Sequence, residues 1–249
     1  MNDKTISEKL FQTYLHASKF SDFRFEPQHV GTLKRPDYIL NVDGKEILFE
    51  IKQFDPADAE LNLRIGAFDP YGRIREKIEA GRKKFKDLEH FCCCLVLYDN
   101  GKPLVDLDPQ FIYAAMFGNL GIEIPVNTDT GIGDMSRSRQ VMHGGGKMFW
   151  YVNQESVKPM NTTISAILVL REYLIDAKGT VSGFSISQPR VTVHENPFAR
   201  IQLPRELFVG RYDERYAVDE GCIGRVFCGS QLAELECEDR CIHGERKNT

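Results

Sequence analysis

The sequence predicts an α/β protein, and three observations carry that prediction. Two runs of alternating apolar residues flank Asp43-Gly44, a strong signal for a two-residue β-hairpin. Cys92–Tyr98 is a continuous apolar run closed by Asp99-Asn100-Gly101, the pattern of a short buried strand followed by a turn. Segments 5–18 and 73–90 carry apolar residues at helical spacing. Together they give a helix, a three-stranded meander, a helix and a strand within residues 1–118. An extended C-terminal α+β portion follows.

The elements are justified in order. Ile6, Leu10, Phe11, Tyr14 and Leu15 make an apolar stripe on the first helix. Phe23 to Val30 is the candidate first strand. Tyr38–Val42 and Glu46–Phe54 are the two arms of the hairpin. Ile74, Ile78, Phe85 and Leu88 line one side of the second helix. Residues 106–118 read as a further helix. Residues 119–147, rich in Gly, Thr, Ser and Asn, read as a long flexible loop. In residues 148–249, Ile164–Leu174 and Val181–Ser187 read as strands that extend the sheet for recognition or dimer contacts. From about residue 210 the chain is charged and weakly patterned.

Composition sets outer limits. With 249 residues, 42% hydrophobic and 27% charged, wholesale disorder is excluded. No run of about 18 apolar residues is present, so no membrane span is expected. The polar start, MNDKTISEKL, does not read as a secretory signal. Seven cysteines, three of them adjacent at Cys92-Cys93-Cys94, point to reduced thiols and a cytoplasmic setting. The net charge of −4 hides a basic segment. Arg73, Arg75, Lys77, Arg82, Lys83, Lys84 and Lys86 face only Glu76 and Glu79 within residues 73–86. Such a segment holds a polyanion or is a solvated helix face.

The hairpin carries the chemistry. A two-residue turn at Asp43-Gly44 pairs Val42 with Lys45, and the same register brings Asp37 opposite Glu50. Alternation puts Ile47, Phe49 and Ile51 on one face, with Leu48, Glu50 and Lys52 on the other. Opposed side chains on a ladder have Cβ atoms about 5 Å apart, so two carboxylates there repel and call for a cation. Lys52 neutralises one of them. A hard divalent ion takes carboxylate oxygens together with water and phosphate oxygens, which suits the pair. The competing reading is the solvated face of an edge hairpin. Glu245-Arg246-Lys247 has the same Glu-x-Lys spacing in a polar tail, whereas residues 50–52 lie in an apolar run with Pro36-Asp37 before it.

Pro36-Asp37 followed by Glu50-Ile51-Lys52 resembles the motif of the PD-(D/E)XK nuclease superfamily, over roughly residues 5–99. The resemblance implies a restriction-endonuclease-like core. It also implies a metal-dependent nuclease that hydrolyses phosphodiester bonds in DNA by metal-activated water, with an endonuclease favoured over an exonuclease. By the same resemblance Asp37, Glu50 and Lys52 are catalytic. Asp37, Glu50 and the carbonyl of Ile51 hold Mg²⁺ or Mn²⁺, and Lys52 orients or activates the nucleophile. Glu8 is a further metal candidate on the first helix, although Thr5-Ile6-Ser7-Glu8 is equally a capping box. Gln53 is a weaker candidate. Lys34 and Arg35 beside Pro36, with Arg73, Arg75, Arg82, Lys83 and Lys84 on the basic helix, are the candidate nucleic-acid contacts. RNA as substrate and a homodimer are compatible with this reading.

Two rival readings stand beside it. One is a catalytically silent nuclease-fold module that binds nucleic acid or protein. The other is a zinc-stabilised interaction protein built on Cys222, Cys228, Cys237, Cys241 and His243, of which only Cys237-x3-Cys241 has zinc-like spacing. His143-Gly144-Gly145-Gly146-Lys147 lacks the companions of an esterase or P-loop motif and reads as loop. Trp150, in an apolar run, reads as core.

Overall fold

Hydrophobic patterning on both sides of one sheet organises the chain. The computed structural model describes residues 4–27, 35–55, 71–100, 105–137, 139–153, 156–176, 185–219 and 222–228. Helix α1 (Ile6–Ala17) is followed by β1 (Phe23–Phe25), β2 (Tyr38–Val42) and β3 (Lys45–Phe54). Then come α2 (Gly72–Phe85), β4 (Cys92–Asp99) and α3 (Pro109–Phe117). The order helix, three strands, helix, strand, helix is the one the periodicities predict. β5 (Gly118–Glu123), β6 (Arg139–Gly145), β7 (Phe149–Asn153) and β8 (Ser156–Pro159) lead to β9 (Ile164–Asp176) and β10 (Ser185–Glu195). β11 (Glu214–Asp219) and β12 (Cys222–Cys228) complete the described strands.

Eight strands form one mixed sheet in the order β1-β2-β3-β4-β9-β10-β11-β12. β1, β2 and β3 are an antiparallel meander, while β3, β4 and β9 run parallel. The parallel pairs require crossovers, which α2 supplies between β3 and β4 and α3 begins between β4 and β9. α1 covers one face of the sheet, and α2 with α3 covers the other. Phe11, Tyr14 and Leu15 pack with Phe49, Ile51, Val96 and Leu168. Ile74, Ile78, Phe85 and Ile112 pack with Leu48, Phe54, Leu95 and Leu97. β4 therefore lies between two apolar layers, and its first seven residues are all buried. That burial explains the unbroken apolar run and makes Cys92, Cys93 and Cys94 core residues.

Three expectations are corrected. Residues 119–147 are not a featureless loop: β5 and β6 pair antiparallel from Gly118↔Gly145 to Glu123↔Arg139. Pairing through backbone groups leaves little apolar alternation in a Gly-rich segment, so no strand signal shows. A Cβ on Gly146 would lie 2.1 Å from the Phe117 carbonyl carbon, so this glycine serves close backbone approach. β1 ends at Phe25, where Glu26 takes φ 42°, and residues 28–30 of the expected longer strand lie outside the described residues. The weakly patterned region after residue 210 contains β11 and β12, with β11 parallel to β10. Among the described residues no helix is long and apolar enough to cross a membrane.

Candidate active site

The turn sets the site. Asp43 and Gly44 take φ 50° and 76°, the left-handed pair that a type I′ turn requires and that Asp-Gly supplies at low steric cost. The ladder runs from Val42↔Lys45 to Tyr38↔Phe49, the register expected from the sequence. One position further, the Asp37 N–H donates to the Phe49 carbonyl at 2.9 Å. Period-two alternation then sends Phe49, Ile51 and Gln53 toward α1, and Leu48, Glu50, Lys52 and Phe54 toward α2. Glu50, with Lys52 beside it, thus enters the apolar layer that contains Leu48 and Phe54, and it is 2% exposed.

A carboxylate buried that deeply needs cations. Lys52 Nζ donates to Glu50 Oε1 at 2.7 Å. Lys84, from the last turn of α2, places Nζ 3.5 Å from Glu50 Oε2. Oε2 itself is buried and accepts no hydrogen bond. Asp37 is half-buried, and its Oδ2 accepts the Ile51 N–H at 2.6 Å. Burial first, then the Glu50 charge, pushes the Asp37 carboxyl up to about 6, while the Ile51 N–H, Lys84 and Lys52 pull it down. The Glu50 charge therefore acts on Asp37, one position beyond the end of the β2–β3 ladder. Tyr38 closes the α1 side by donating to the Glu8 carbonyl at 2.9 Å. Burial and the charges of Glu8 and Asp37 hold that phenol well above its ordinary range.

The remaining candidates divide clearly. Glu8 forms the capping box: its carboxylate accepts the Thr5 N–H at 2.7 Å, and its own N–H donates to Thr5 Oγ1 at 3.2 Å. Gln53 turns to the α1 face, where its Oε1 accepts the Ser7 N–H at 3.1 Å. Arg35 is exposed, and Lys34 lies outside the described residues. On α2, Arg82 is paired with Glu79, and Arg75 donates to the Ala114 carbonyl of α3 at 3.3 Å. Lys83 is exposed. Arg73 and Lys77 lie over the Phe54 ring, 5.7 and 5.3 Å from its centroid, two positions along β3 from Lys52. Arg73, Lys77 and Lys84 thus form a stripe of positive charge facing the Glu50 side of β3. In the sequence Lys84 reads as one phosphate contact among several; its reach to Glu50 depends on how α2 crosses the sheet.

Among the described residues no group of three or more His, Cys, Asp or Glu side chains gathers at one point. Asp37 and Glu50 are a pair, and a hard ion held by two carboxylates completes its shell with water, backbone carbonyl and phosphate oxygens. The buried Glu50 Oε2, which accepts no hydrogen bond, and the Asp37 carboxyl held up near 6 fit a divalent cation. Cys237, Cys241 and His243 of the zinc reading lie outside the described residues. Comparison with protein-family models, curated proteins and solved structures yields no match.

Proposed function

We propose that the chain is a divalent-metal-dependent nuclease that hydrolyses phosphodiester bonds in DNA, with its reaction centre at Asp37, Glu50 and Lys52. The observation that carries the reading is Glu50: a carboxylate 2% exposed, with one oxygen on Lys52 and the other without a hydrogen bond, beside a second acid. The spacing of Pro36-Asp37 and Glu50-Ile51-Lys52 resembles the PD-(D/E)XK superfamily, which supplies the reaction class. Asp37, Glu50 and the Ile51 carbonyl would hold Mg²⁺ or Mn²⁺; Glu8 is left out because Thr5 already engages its carboxylate. Such an ion, when bound, supplies an acidified water and neutralises charge on the phosphate.

The chain's own groups do the rest. In this reading Lys52, whose side chain is 27% exposed, donates to the attacking water and holds it in line with the phosphorus. The water oxygen forms the new P–O bond as the bridging P–O bond breaks. The water's proton ends on the departing oxygen, leaving a phosphomonoester and a hydroxyl. Asp37 must be ionised to hold the ion, so the Mg²⁺ concentration needed for cleavage should fall as pH rises through about 6. Arg73 and Lys77 offer backbone contacts without sequence reading.

Incubation of circular DNA, linear DNA and RNA with Mg²⁺, Mn²⁺ or EDTA, beside Lys52→Ala, tests the proposal. Metal-dependent cutting of DNA that Lys52→Ala removes, with DNA binding kept, supports it. Nicked or linearised circles identify an endonuclease. Binding without cutting by wild-type chain in every condition overturns it and favours the silent module.

A further inference from the structure

We infer that Lys84 is a second lysine of the reaction centre, a catalytic residue that binds a non-bridging oxygen of the scissile phosphate. This rests on the nuclease reading above.

The placement of Lys84 is built into the packing of α2. Gly81 lies over Leu95, where an added Cβ would stand 3.0 Å from Leu95 Cδ1, so the helix sits close to β4 at this turn. Leu95 is the ladder neighbour of Glu50. Lys84 follows Gly81 by three residues, about one turn, and so arrives beside Glu50. Lys84 Nζ is 3.5 Å from Glu50 Oε2. Lys84 therefore reaches the buried acid of the pair, and its charge also acts on Asp37.

Its bonding differs from that of Lys52. Lys52 donates to Glu50 at 2.7 Å, whereas Lys84 makes no hydrogen bond among the described residues. An ammonium carries three donors, so Lys84 has donors to offer an anion beside Glu50. Asp37, Glu50, Lys52 and Lys84 sum to zero charge. A divalent cation on the acids leaves the centre at +2, the state that attracts an anionic phosphodiester. With Glu50 engaged by the ion, Lys84 loses its partner and gains an anion at the same place. It lies at the inner end of the stripe formed with Lys77 and Arg73, so a nucleic-acid backbone on that stripe reaches the metal ligands at Lys84.

The test uses single-turnover cleavage of a DNA carrying one Rp or Sp phosphorothioate at the cut position, with wild-type chain, Lys84→Met and Lys84→Arg. Removal of a transition-state oxyanion donor lowers the rate constant about 100-fold or more. Lys84→Met is expected to show that loss with its Mg²⁺ midpoint and DNA affinity within about threefold of wild type. Lys84→Arg is expected to recover part of it. In Mn²⁺, which accepts sulfur and so suppresses the metal's own isomer preference, one phosphorothioate isomer should still slow wild type more than the other, and Lys84→Met should erase that remaining difference, which a merely structural role would leave intact. Full-rate cleavage by Lys84→Met, or an isomer preference that survives the substitution, overturns the inference while the nuclease reading stands. Absence of cleavage by wild type overturns both. Matching urea midpoints of Lys84→Met and wild type, or Lys84→Gln where Met unfolds, separate a chemical loss from a folding defect.

Discussion

Replacing Asp37 by Asn should stabilise the metal-free protein at alkaline pH. In the folded chain the Asp37 carboxyl titrates near 6, against an ordinary 3.8, because burial and Glu50 disfavour its charge. A carboxyl whose folded value is raised favours folding below the unfolded value and loses that advantage as pH rises through the folded value. The window is therefore pH 3.8 to about 6. At 1.36 kcal/mol per pH unit, ionisation above the window costs the fold about 3 kcal/mol, and partial exposure of Asp37 brings this to about 2 kcal/mol. Asn cannot ionise and retains an acceptor for the Ile51 N–H. Urea unfolding in EDTA should thus show Asp37→Asn about 2 kcal/mol more stable than wild type at pH 8, and equal to it below pH 4. Saturating Mg²⁺ should reverse the order, since an ion at 100 times its Kd adds about 2.7 kcal/mol to wild type alone. The reasoning is refuted if Asp37→Asn is destabilising at pH 8 in EDTA, or if its effect is the same at pH 4 and pH 8.

Other outcomes follow from the same geometry. His194 is fully buried between the rings of Tyr113 and Tyr216, with neither ring nitrogen hydrogen-bonded, and burial lowers it from 6.5 to about 3. Stability should be full above pH 6.5 and fall as the unfolded chain takes up the proton, by about 2 kcal/mol at pH 5; His194→Phe should flatten that limb of the urea profile, and an unchanged limb speaks against the buried neutral ring. Glu8→Gln should keep the Mg²⁺ midpoint of cleavage within about twofold, and Thr5→Ala should lower stability by about 1 kcal/mol through loss of the α1 cap. A Mg²⁺ requirement raised tenfold by Glu8→Gln would instead return Glu8 to the ligand set. Gly146→Ala forces a Cβ against the Phe117 backbone and should cost about 2–3 kcal/mol by calorimetry; a neutral result would mean the two segments separate easily.

What is legible in the sequence is what local chemistry decides. Asp43-Gly44 specifies the turn because few residue pairs accept two left-handed conformations, and the turn then determines register. From register come the face shared by Glu50 and Lys52 and the nearness of Asp37. The Cys92–Tyr98 run announces a strand covered on both sides for the same reason, since no position on β4 meets water until its end. The β5–β6 pair is hidden because its few apolar residues, Leu120, Ile122, Val141 and Met142, are set among Gly, Asn, Gln and charged residues and make only a short, weak pattern. Glu8 is ambiguous in the sequence because one carboxylate serves a cap or an ion equally well at that spacing, and only the hydrogen bond it accepts from the Thr5 N–H separates the two.

Lys84 shows where local reasoning stops. On the sequence it is one of seven cations in a basic segment, with nothing to separate it from Lys83. Two facts distinguish them, and both are relations between elements. The buried stripe Ile74, Ile78, Gly81, Phe85 orients α2, so Lys84 flanks that stripe on the β3 side while Lys83 faces solvent. The small size of Gly81 then sets the depth at which α2 lies on Leu95. Gly81→Ala separates these contributions. Ala favours helix by about 1 kcal/mol, while the clash with Leu95 opposes it, so stability should change by less than about 1 kcal/mol. The helix must lift or Leu95 must rotate. If the helix lifts, Lys84 withdraws from Glu50, and cleavage should fall with stability unchanged. Cleavage at the wild-type rate in a stable Gly81→Ala chain would mean that the reach of the lysine side chain, rather than the seat of the helix, brings the charge to the acids.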